Sequence, residues 1–303
     1  MPFIVLSKLD KVSRLAAASI LVALVVMAIK YVAYLRTGSV ALYSDALESI
    51  VNVITAVAAL IAVRVSAQPA DRNHPFGHHK AEYFSAGLEG ALIVIAALMI
   101  LNQAHDAWSN PRTLTAPGEG IAINAFAGAI NAAWAWHLVR RGREWKSPAI
   151  SADGWHLFSD VATSVGVLLG LLLAILTGWY ILDPLLAALV AIHILWVGWR
   201  LTSQSMSGLM DEAVDAEVLA QIRKVIASNA SGALQLHDLR TRIAGRVTFV
   251  EFHLVVPGQM SVEEAHDICD RIEAALSEAI DGMEVHIHVE PEGEAKTKGA
   301  LRL

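Results

Sequence analysis

The stretch Ser151-Ala-Asp-Gly-Trp-His-Leu-Phe-Ser-Asp160 opens a long apolar run that ends near Thr177. His156 and Asp160 are four residues apart, so on a helix both side chains project from the same face, with Asp153 one turn earlier. An imidazole beside a carboxylate can hold a divalent cation, and both groups can exchange protons. Because ionisable groups at membrane depth are unfavourable unless they are paired or used, this segment predicts a functional site inside a membrane span.

A second stretch, Ser44-Asp-Ala-Leu-Glu-Ser-Ile-Val-Asn52, repeats this arrangement at the same spacing. The matched positions are Asp45 with Asp153, Glu48 with His156, and Asn52 with Asp160. Two spans with such polar stripes can face one another, and four side chains are enough for a tetrahedral metal site. The predicted ligands are Glu48, Asn52, His156 and Asp160, with Asp45 as a further candidate. The alternative is a pair of polar patches that only hold helices together, but those usually contain Ser, Thr or Asn.

The composition of the chain is that of a membrane protein with a soluble appendage. Of 303 residues, 55% are hydrophobic and 17% are charged, and the mean hydropathy is +0.50. The net charge of −6 comes from the part after Asp211, and no basic patch points to nucleic acid as a partner. The single cysteine, Cys269, excludes an intramolecular disulfide and a thiolate metal site.

Six apolar segments are long enough to cross the roughly 30 Å of a bilayer's hydrocarbon core. They cover approximately 15–34, 40–65, 81–101, 120–139, 150–177 and 181–201, and Glu89 and His193 are ionisable residues within them. Basic residues concentrate in alternate connections, such as Arg140–Lys146, whereas the other connections hold only Arg36 and Arg112. By the positive-inside rule, this pattern predicts a six-helix transmembrane bundle in the cytoplasmic (inner) membrane, with both termini in the cytoplasm.

The connection after the second span is rich in side chains that bind metals. It runs Gln68-Pro-Ala-Asp-Arg-Asn-His-Pro-Phe-Gly-His-His-Lys80, and Asp71, His74 and His78 form a compact set within it. A loop of this composition can also be an ordinary loop whose histidines cap the third helix. We favour a metal site on the cytoplasmic side.

After Leu209 the pattern changes to that of a small soluble domain. A helix over Asp215–Ser228 is followed by strands over Leu234–Ile243 and Val247–Val256, then by a helix that Ser261 starts with a capping box, and by a strand over Met283–Val289. The order αββαβ predicts a two-layer α+β unit, ferredoxin-like or metallochaperone-like, with its helices on one face of the sheet. We therefore expect a transmembrane domain over 1–209, a cytoplasmic domain over 210–291, and a disordered tail over 292–303.

Five side chains of this soluble domain are candidate metal ligands that could meet from separate elements. They are His237, His253, His266, His288 and Glu290. Because strand side chains alternate between faces, His286, His288 and Glu290 share one face of the last strand. Scattered surface histidines are the alternative, but the placement of five candidates at element ends or on one sheet face favours metal binding.

These motifs resemble the cation diffusion facilitator family of proton-coupled divalent-metal exporters, over Ala16 to Pro291. The resemblance lies in Ser39-Val-Ala-Leu-Tyr-Ser-Asp45, the loop from Gln68 to Glu82, the His156/Asp160 pair, Gly208-Leu-Met-Asp211, His237-Asp-Leu-Arg-Thr-Arg242, Glu251-Phe-His253 and Ala265-His266. It implies a homodimer of six-helix subunits whose cytoplasmic domains bind metal.

The family's metal sites fall on residues already singled out. The resemblance implies a transport site at Glu48, Asn52, His156 and Asp160, a loop site at Asp71, His74 and His78, and a binuclear cytoplasmic site at His237, His253, His266, His288 and Glu290. It also implies a charge interlock at the dimer's membrane–cytoplasm junction, formed by Lys80 and Asp211, although two ordinary interfacial charges would have the same pattern.

One departure from the family concerns the choice of metal. In zinc-exporting members the second-span pair is usually His and Asp, or two Asp, whereas here it is Glu48 and Asn52. A neutral amide lowers the charge of the site, and oxygen donors weaken the preference for zinc in favour of manganese, ferrous iron or cobalt. The identity of the metal stays open within the Zn, Fe, Mn, Co and Ni class.

The residues and the resemblance together predict a secondary active transporter, not an enzyme, which expels divalent metal in exchange for protons by alternating access. Metal is both cargo and regulatory ligand, no organic cofactor is expected, and the partners are protons, the bilayer and a second copy of the chain. An intramembrane metalloenzyme would need a motif such as H-E-x-x-H, which the sequence lacks. A passive cation channel would need a repeated filter or a charged pore ring.

Overall fold

A computed structural model of the chain describes residues 2–37, 40–109, 118–179, 181–296 and 300–303. The chain divides into two compact units, Met1–Met206 and Ser207–Leu303. The first unit consists of long helices, and the second contains a sheet and helices, as the sequence predicts.

Among the described residues, six long helices make up the first unit, and each covers nearly all or all of one predicted apolar segment. Their bounds are α1 Pro2–Thr37, α2 Val40–Ser66, α3 Ala81–Ser109, α4 Gly118–Glu144, α5 Pro148–Thr177 and α6 Leu182–Leu209. Among the described residues, four helices hold an apolar stretch long enough to cross a membrane: 11–32, 49–66, 81–106 and 184–209. Neither α4 nor α5 holds such a stretch among the described residues, so the count of six spans stays a prediction.

Close helix packing places α5 inside this bundle, where it contacts α2, α3 and α4. Glycines allow the approach of α4 and α5, since a Cβ at Gly154 would lie 2.8 Å from the backbone nitrogen of Val139. Large apolar side chains, among them Leu21, Leu98 and Trp199, are exposed on the outer surface of the bundle. An apolar exterior around a buried polar interior is what a lipid environment favours.

The second unit has the predicted order αββαβ. Its elements are α7 Ala216–Asn229, β1 Gln235–Ala244, β2 Val247–Val256, α8 Val262–Ala279 and β3 Met283–Pro291, followed by a short 3₁₀ turn at Glu292–Glu294 and β4 Leu301–Arg302. The sheet order is β3-β2-β1-β4, in which β2 pairs antiparallel with β1 and parallel with β3. The predicted capping box is present, because the Ser261 hydroxyl accepts from the backbone N–H of Glu264.

An apolar core holds the helices of this unit against its sheet. The residues Ile222 and Ile226 of α7 and Ile272 and Leu276 of α8 are buried against Phe252 and its neighbours in β2. Both helices therefore cover one face of the sheet, and the side chains on the other face are available for a different role.

The tail expected to be disordered instead continues the sheet. Strand β4 pairs antiparallel with the start of β1, and the Gln235 side chain exchanges two hydrogen bonds with the backbone of Lys296. The Lys296 ammonium also donates to the Asp238 carboxylate, a hydrogen bond that lowers the pKa of Asp238. The sequence does not show this pairing because it depends on tertiary contacts. The edge of β1 would otherwise be unpaired, and it offers backbone hydrogen-bonding groups to the tail.

Candidate metal sites

The first candidate site lies where α2 and α5 meet inside the bundle. The Asn52 amide joins the two α5 residues: its Nδ2 donates to Oδ2 of Asp160 at 2.7 Å, and its Oδ1 lies 3.1 Å from Nε2 of His156. Asn52 is 3% and His156 5% exposed. The structure thus brings together three of the four predicted ligands, at the positions that the matched spacing of the two stretches predicts.

The other predicted ligands of this site lie on α2, the helix that also carries Asn52. Glu48 and Asp45 belong to α2, but their side chains lie outside the described residues, so their participation stays a prediction. The three described groups offer an amide oxygen, an imidazole nitrogen and a carboxylate oxygen. Such a mixed set suits a divalent transition metal, and the imidazole and carboxylate can also take up protons.

Asp153, matched in sequence to Asp45, has different partners from those of His156 and Asp160. Its Oδ2 accepts a hydrogen bond of 2.5 Å from the Ser19 hydroxyl of α1, and Trp134 of α4 donates to the same serine oxygen at 3.1 Å. Asp153 is 1% exposed. The sequence pattern did not single out Ser19 or Trp134, because they come from helices that carry no acidic stripe.

A second polar connection that the sequence analysis missed joins the ends of three helices. Glu82, in the first turn of α3, accepts hydrogen bonds from the hydroxyls of Ser66 in α2 and Ser147 just before α5. All three residues are buried. A serine before Pro148 is a recognisable helix-start signal, but its link to Glu82 depends on tertiary packing.

The loop between α2 and α3 brings Asp71, His74 and His78 together as predicted. Nδ1 of His74 lies 3.3 Å and Nε2 of His78 3.6 Å from the Asp71 carboxylate, and the ring centroids are 4.3 Å apart. Hydrogen bonds from the backbone N–H groups of His74 and Asn73 hold the pKa of Asp71 below its usual value. Asp71 therefore stays ionised to lower pH than an unconstrained aspartate, as a metal ligand requires.

The second unit carries a third cluster, on the sheet face opposite the helices. In the strand register His237 is opposite His253, and His253 is opposite His288, so three histidines form one row across β1, β2 and β3. Glu290 completes the cluster: its carboxylate oxygens lie 3.1 Å from Nε2 of His237, 2.8 Å from Nδ1 of His253 and 3.8 Å from Nε2 of His288.

The buried atoms of this cluster fit a shared cation. Both ring nitrogens of His237, Nδ1 of His253 and Oε2 of Glu290 are buried without a hydrogen bond of acceptable geometry to any described residue. Polar atoms in this situation are destabilising unless something else satisfies them. A divalent ion bound by His237, His253 and Glu290, which offer ligand atoms within 4.8 Å of one another, would do so.

The structure does not bring His266 into this cluster. On α8 its side chain is 71% exposed, and its Nε2 lies 3.7 Å from the Asp270 carboxylate one turn later. The helix turns Ala265 and Cys269 towards the core, which leaves His266 on the solvent side. A binuclear site therefore stays a prediction, whereas the geometry of a single ion site is present.

The predicted interlock between Lys80 and Asp211 also stays a prediction, because the two residues belong to different units. Asp211 has a left-handed backbone, with φ of 63°, and its carboxylate lies 3.4 Å from the Arg242 guanidinium within the second unit.

Comparison with known proteins identifies both units. Residues 16–210 match the cation efflux transmembrane domain, and residues 214–292 match the cytoplasmic domain of cation efflux proteins. The chain is 45% identical over 276 residues to the uncharacterised transporter sll1263 of Synechocystis, covering 91% of this chain and 89% of that one. It is 34% identical over 285 residues to the cation-efflux pump FieF of Escherichia coli, covering 92% and 93%.

Among solved structures, the Zn form of CzrB aligns with 28% of this chain and 98% of its own, at 50% identity and a TM-score of 0.27. The two domain models match successive parts of the chain, and the curated relatives match it over nearly its whole length. The chain therefore belongs to the cation diffusion facilitator family, as a membrane protein with a cation efflux transmembrane domain followed by the family's cytoplasmic domain.

Proposed function

We propose that this protein exports divalent transition-metal ions from the cytoplasm in exchange for protons, by alternating access. The observation that carries the proposal is the buried cluster of Asn52, His156 and Asp160, in which two helices present groups that bind either metal or protons. A site of this kind inside a bundle with an apolar exterior is a transport site rather than a structural one.

Proton exchange follows from the ligand chemistry. Imidazole and carboxylate must be deprotonated to coordinate a metal, so metal entering from the cytoplasm displaces protons from His156 and the acidic ligands. A rearrangement to an outward-facing state would release the metal, and reprotonation would favour return to the inward-facing state. We place Glu48 in this site as the fourth ligand, with Asp45 as a further candidate.

The topology that we propose follows the charge pattern. By the positive-inside rule, the basic residues in the connections beside Arg64 and Arg140 support a cytoplasmic position for those connections and for both termini, in the cytoplasmic (inner) membrane. The family's cytoplasmic domain supports a homodimer, in which we assign the Lys80 and Asp211 pair to the junction between membrane and cytoplasm.

The metal belongs to the Zn, Fe, Mn, Co and Ni class. The Asn52 amide contributes no charge, so the site carries less negative charge than a pair of carboxylates at the same positions would give. We infer a weaker preference for zinc than a site with His and Asp on the second span has.

Sealed vesicles containing the purified protein test the transport mechanism. An imposed proton gradient should drive accumulation of metal above its outside concentration, because an antiporter couples the two movements. Manganese, ferrous iron, cobalt and zinc are offered separately, and an internal indicator records each uptake. Uptake that never exceeds equilibration would show a passive channel and contradict the proposal.

A second prediction concerns the cytoplasmic cluster, to which we assign a sensing role. Combined His253→Ala and His288→Ala removes two of its imidazoles, so metal should no longer stabilise that unit. At a metal concentration of 100 times Kd, the lost stabilisation is about 2.7 kcal/mol. The measurement is the metal-dependent rise in Tm of the full chain, alongside vesicle transport, which we expect to persist.

The matched control is His286→Ala, which removes an exposed histidine of the same strand that lies opposite Glu251 rather than His253. It should leave the metal-dependent rise in Tm unchanged. Complete loss of transport in a well-folded double variant would show that the cytoplasmic histidines are obligatory rather than regulatory.

A further inference from the structure

Glu89 is a buried carboxyl group to which the proposed metal site gives no role. It lies on α3, within the apolar stretch 81–106, and it is 0% exposed. Its Oε1 accepts a hydrogen bond of 3.3 Å from Ser85 on the same helix, and its Oε2 has no hydrogen-bond partner among the described residues. A fully buried acceptor without a donor is destabilising, and more so when it is charged.

The charged group that acts on Glu89 among the described residues is not a cation. Asp153 of α5 interacts with it electrostatically, and this neighbour is itself an acid. On the side of α6, Gly198 and Thr202 pack closely against Gly90. Neither acid forms an ion pair with a lysine or arginine of the described chain. Asp153 accepts a hydrogen bond from the Ser19 hydroxyl and interacts electrostatically with His156 and Asp160.

Two buried acids that have no lysine or arginine partner among the described residues need a proton or a small cation to be stable in a low-dielectric interior. A carboxylic acid can donate a hydrogen bond as well as accept one, so a proton on this pair satisfies oxygens that the ionised form would leave unpaired. The Ser19 hydroxyl donates a hydrogen bond to one oxygen of Asp153, and the Ser85 hydroxyl donates one to one oxygen of Glu89.

We propose that Glu89 and Asp153 form a separate proton-carrying carboxyl pair that supplies a proton to the exchange without binding the metal. This inference rests on the proposed function, in which metal moves against protons. Asp153 lies one helical turn before His156, so it connects the pair electrostatically to the metal site.

The step balances as a proton transfer. When a divalent cation occupies His156 and Asp160, its positive charge favours ionisation of the nearby carboxyl pair. The O–H bond of the pair breaks, the electron pair stays on the carboxylate, and the proton leaves to water on the cytoplasmic side. Release of the metal to the other side removes that charge, and the pair takes up a proton again.

The test compares proton counterflow per metal ion in sealed vesicles containing the full-length protein, with internal indicators for protons and for Mn²⁺. Glu89→Gln keeps the shape of the side chain but cannot ionise. We expect metal uptake down its own gradient to continue, with the number of protons moved per metal reduced by up to roughly one and a flatter dependence on pH. Glu89→Asp, which keeps the carboxyl group, should restore the count.

The control is Glu144→Gln, which neutralises an exposed glutamate paired with Arg141 and should leave the ratio at its wild-type value. An unchanged ratio in Glu89→Gln overturns the inference, and so does transport that depends on Na⁺ or K⁺ instead of pH, since that would show a bound metal cation at the pair. Absence of proton counterflow in the wild type would instead overturn the proposed function itself.

A spectroscopic measurement keeps the inference testable if Glu89→Gln does not fold. Infrared difference spectra of the wild type on addition of Mn²⁺ should lose a carboxylic-acid C=O band, and Glu89→Asp should shift the frequency of that band. If no carboxylic-acid band is lost, or if the lost band does not shift in Glu89→Asp, the pair does not release a proton on metal binding.

Discussion

Replacing Asp160 with alanine is expected to abolish metal transport while leaving the protein folded. Asp160 supplies the carboxylate of the buried cluster, and its Oδ2 is the acceptor for Nδ2 of Asn52. Removing it takes away a charged metal ligand and also frees the amide that positions His156. Mutation of a residue that only supports a metal ligand lowers metal affinity or activity by about 10–100-fold, so we expect the transport rate of Asp160→Ala to fall by at least about 100-fold.

The fold should survive this substitution because the hydrogen bond from the Thr163 hydroxyl goes to the backbone carbonyl of Asp160, which alanine retains. Asp106→Ala is the matched control, since it removes an exposed carboxylate from α3. Metal-driven proton flux in vesicles is measured for both variants after circular dichroism shows equal helicity. Normal flux in Asp160→Ala would show that the cluster is not the transport site.

Features that depend on short stretches of chain could be predicted from the sequence. The capping box at Ser261 and the strand Val247–Val256 follow from local patterns, and the structure confirms both. Likewise the spacing of His156 and Asp160 places both on one face of α5 whatever the rest of the bundle does. Their meeting with Asn52 was predictable because two stretches carried the same stripe.

Features that depend on how elements pack were less accessible from the sequence than local ones. His237 reaches the cluster through an irregularity in β1 between His237 and Arg240, where Asp238 takes a left-handed φ of 52°, and strand alternation alone does not reveal it. The position of His266 could have been foreseen, since the apolar stripe of Ala265, Ile268 and Ile272 leaves it on the exposed side of α8. The pairing of β4 with β1 has no local signal at all.

Replacing Asn52 with aspartate is expected to move metal preference towards zinc. The substitution keeps the size of the side chain and adds one negative charge between His156 and Asp160. A more strongly charged site retains zinc better relative to manganese, so the zinc-to-manganese transport ratio should rise by about tenfold, or about 1.4 kcal/mol. Adding Glu48→His, which brings an imidazole to the neighbouring turn, should increase the ratio further.

The hydrogen bond between Asn52 and Asp160 leads to a second expected consequence of Asn52→Asp. The Asn52 nitrogen now donates to Asp160 at 2.7 Å, and an aspartate there would set two carboxylates at that separation. Like charges so close share a proton, so metal uptake by the variant should depend more steeply on pH than in the wild type. Asn52→Ala distinguishes the effect of the added charge from the effect of losing the amide, because it should weaken the binding of both metals without changing the zinc-to-manganese transport ratio. Competition transport of zinc against manganese decides the matter: a ratio that stays constant in Asn52→Asp would place selectivity in the groups that surround the ligands or in the conformational step.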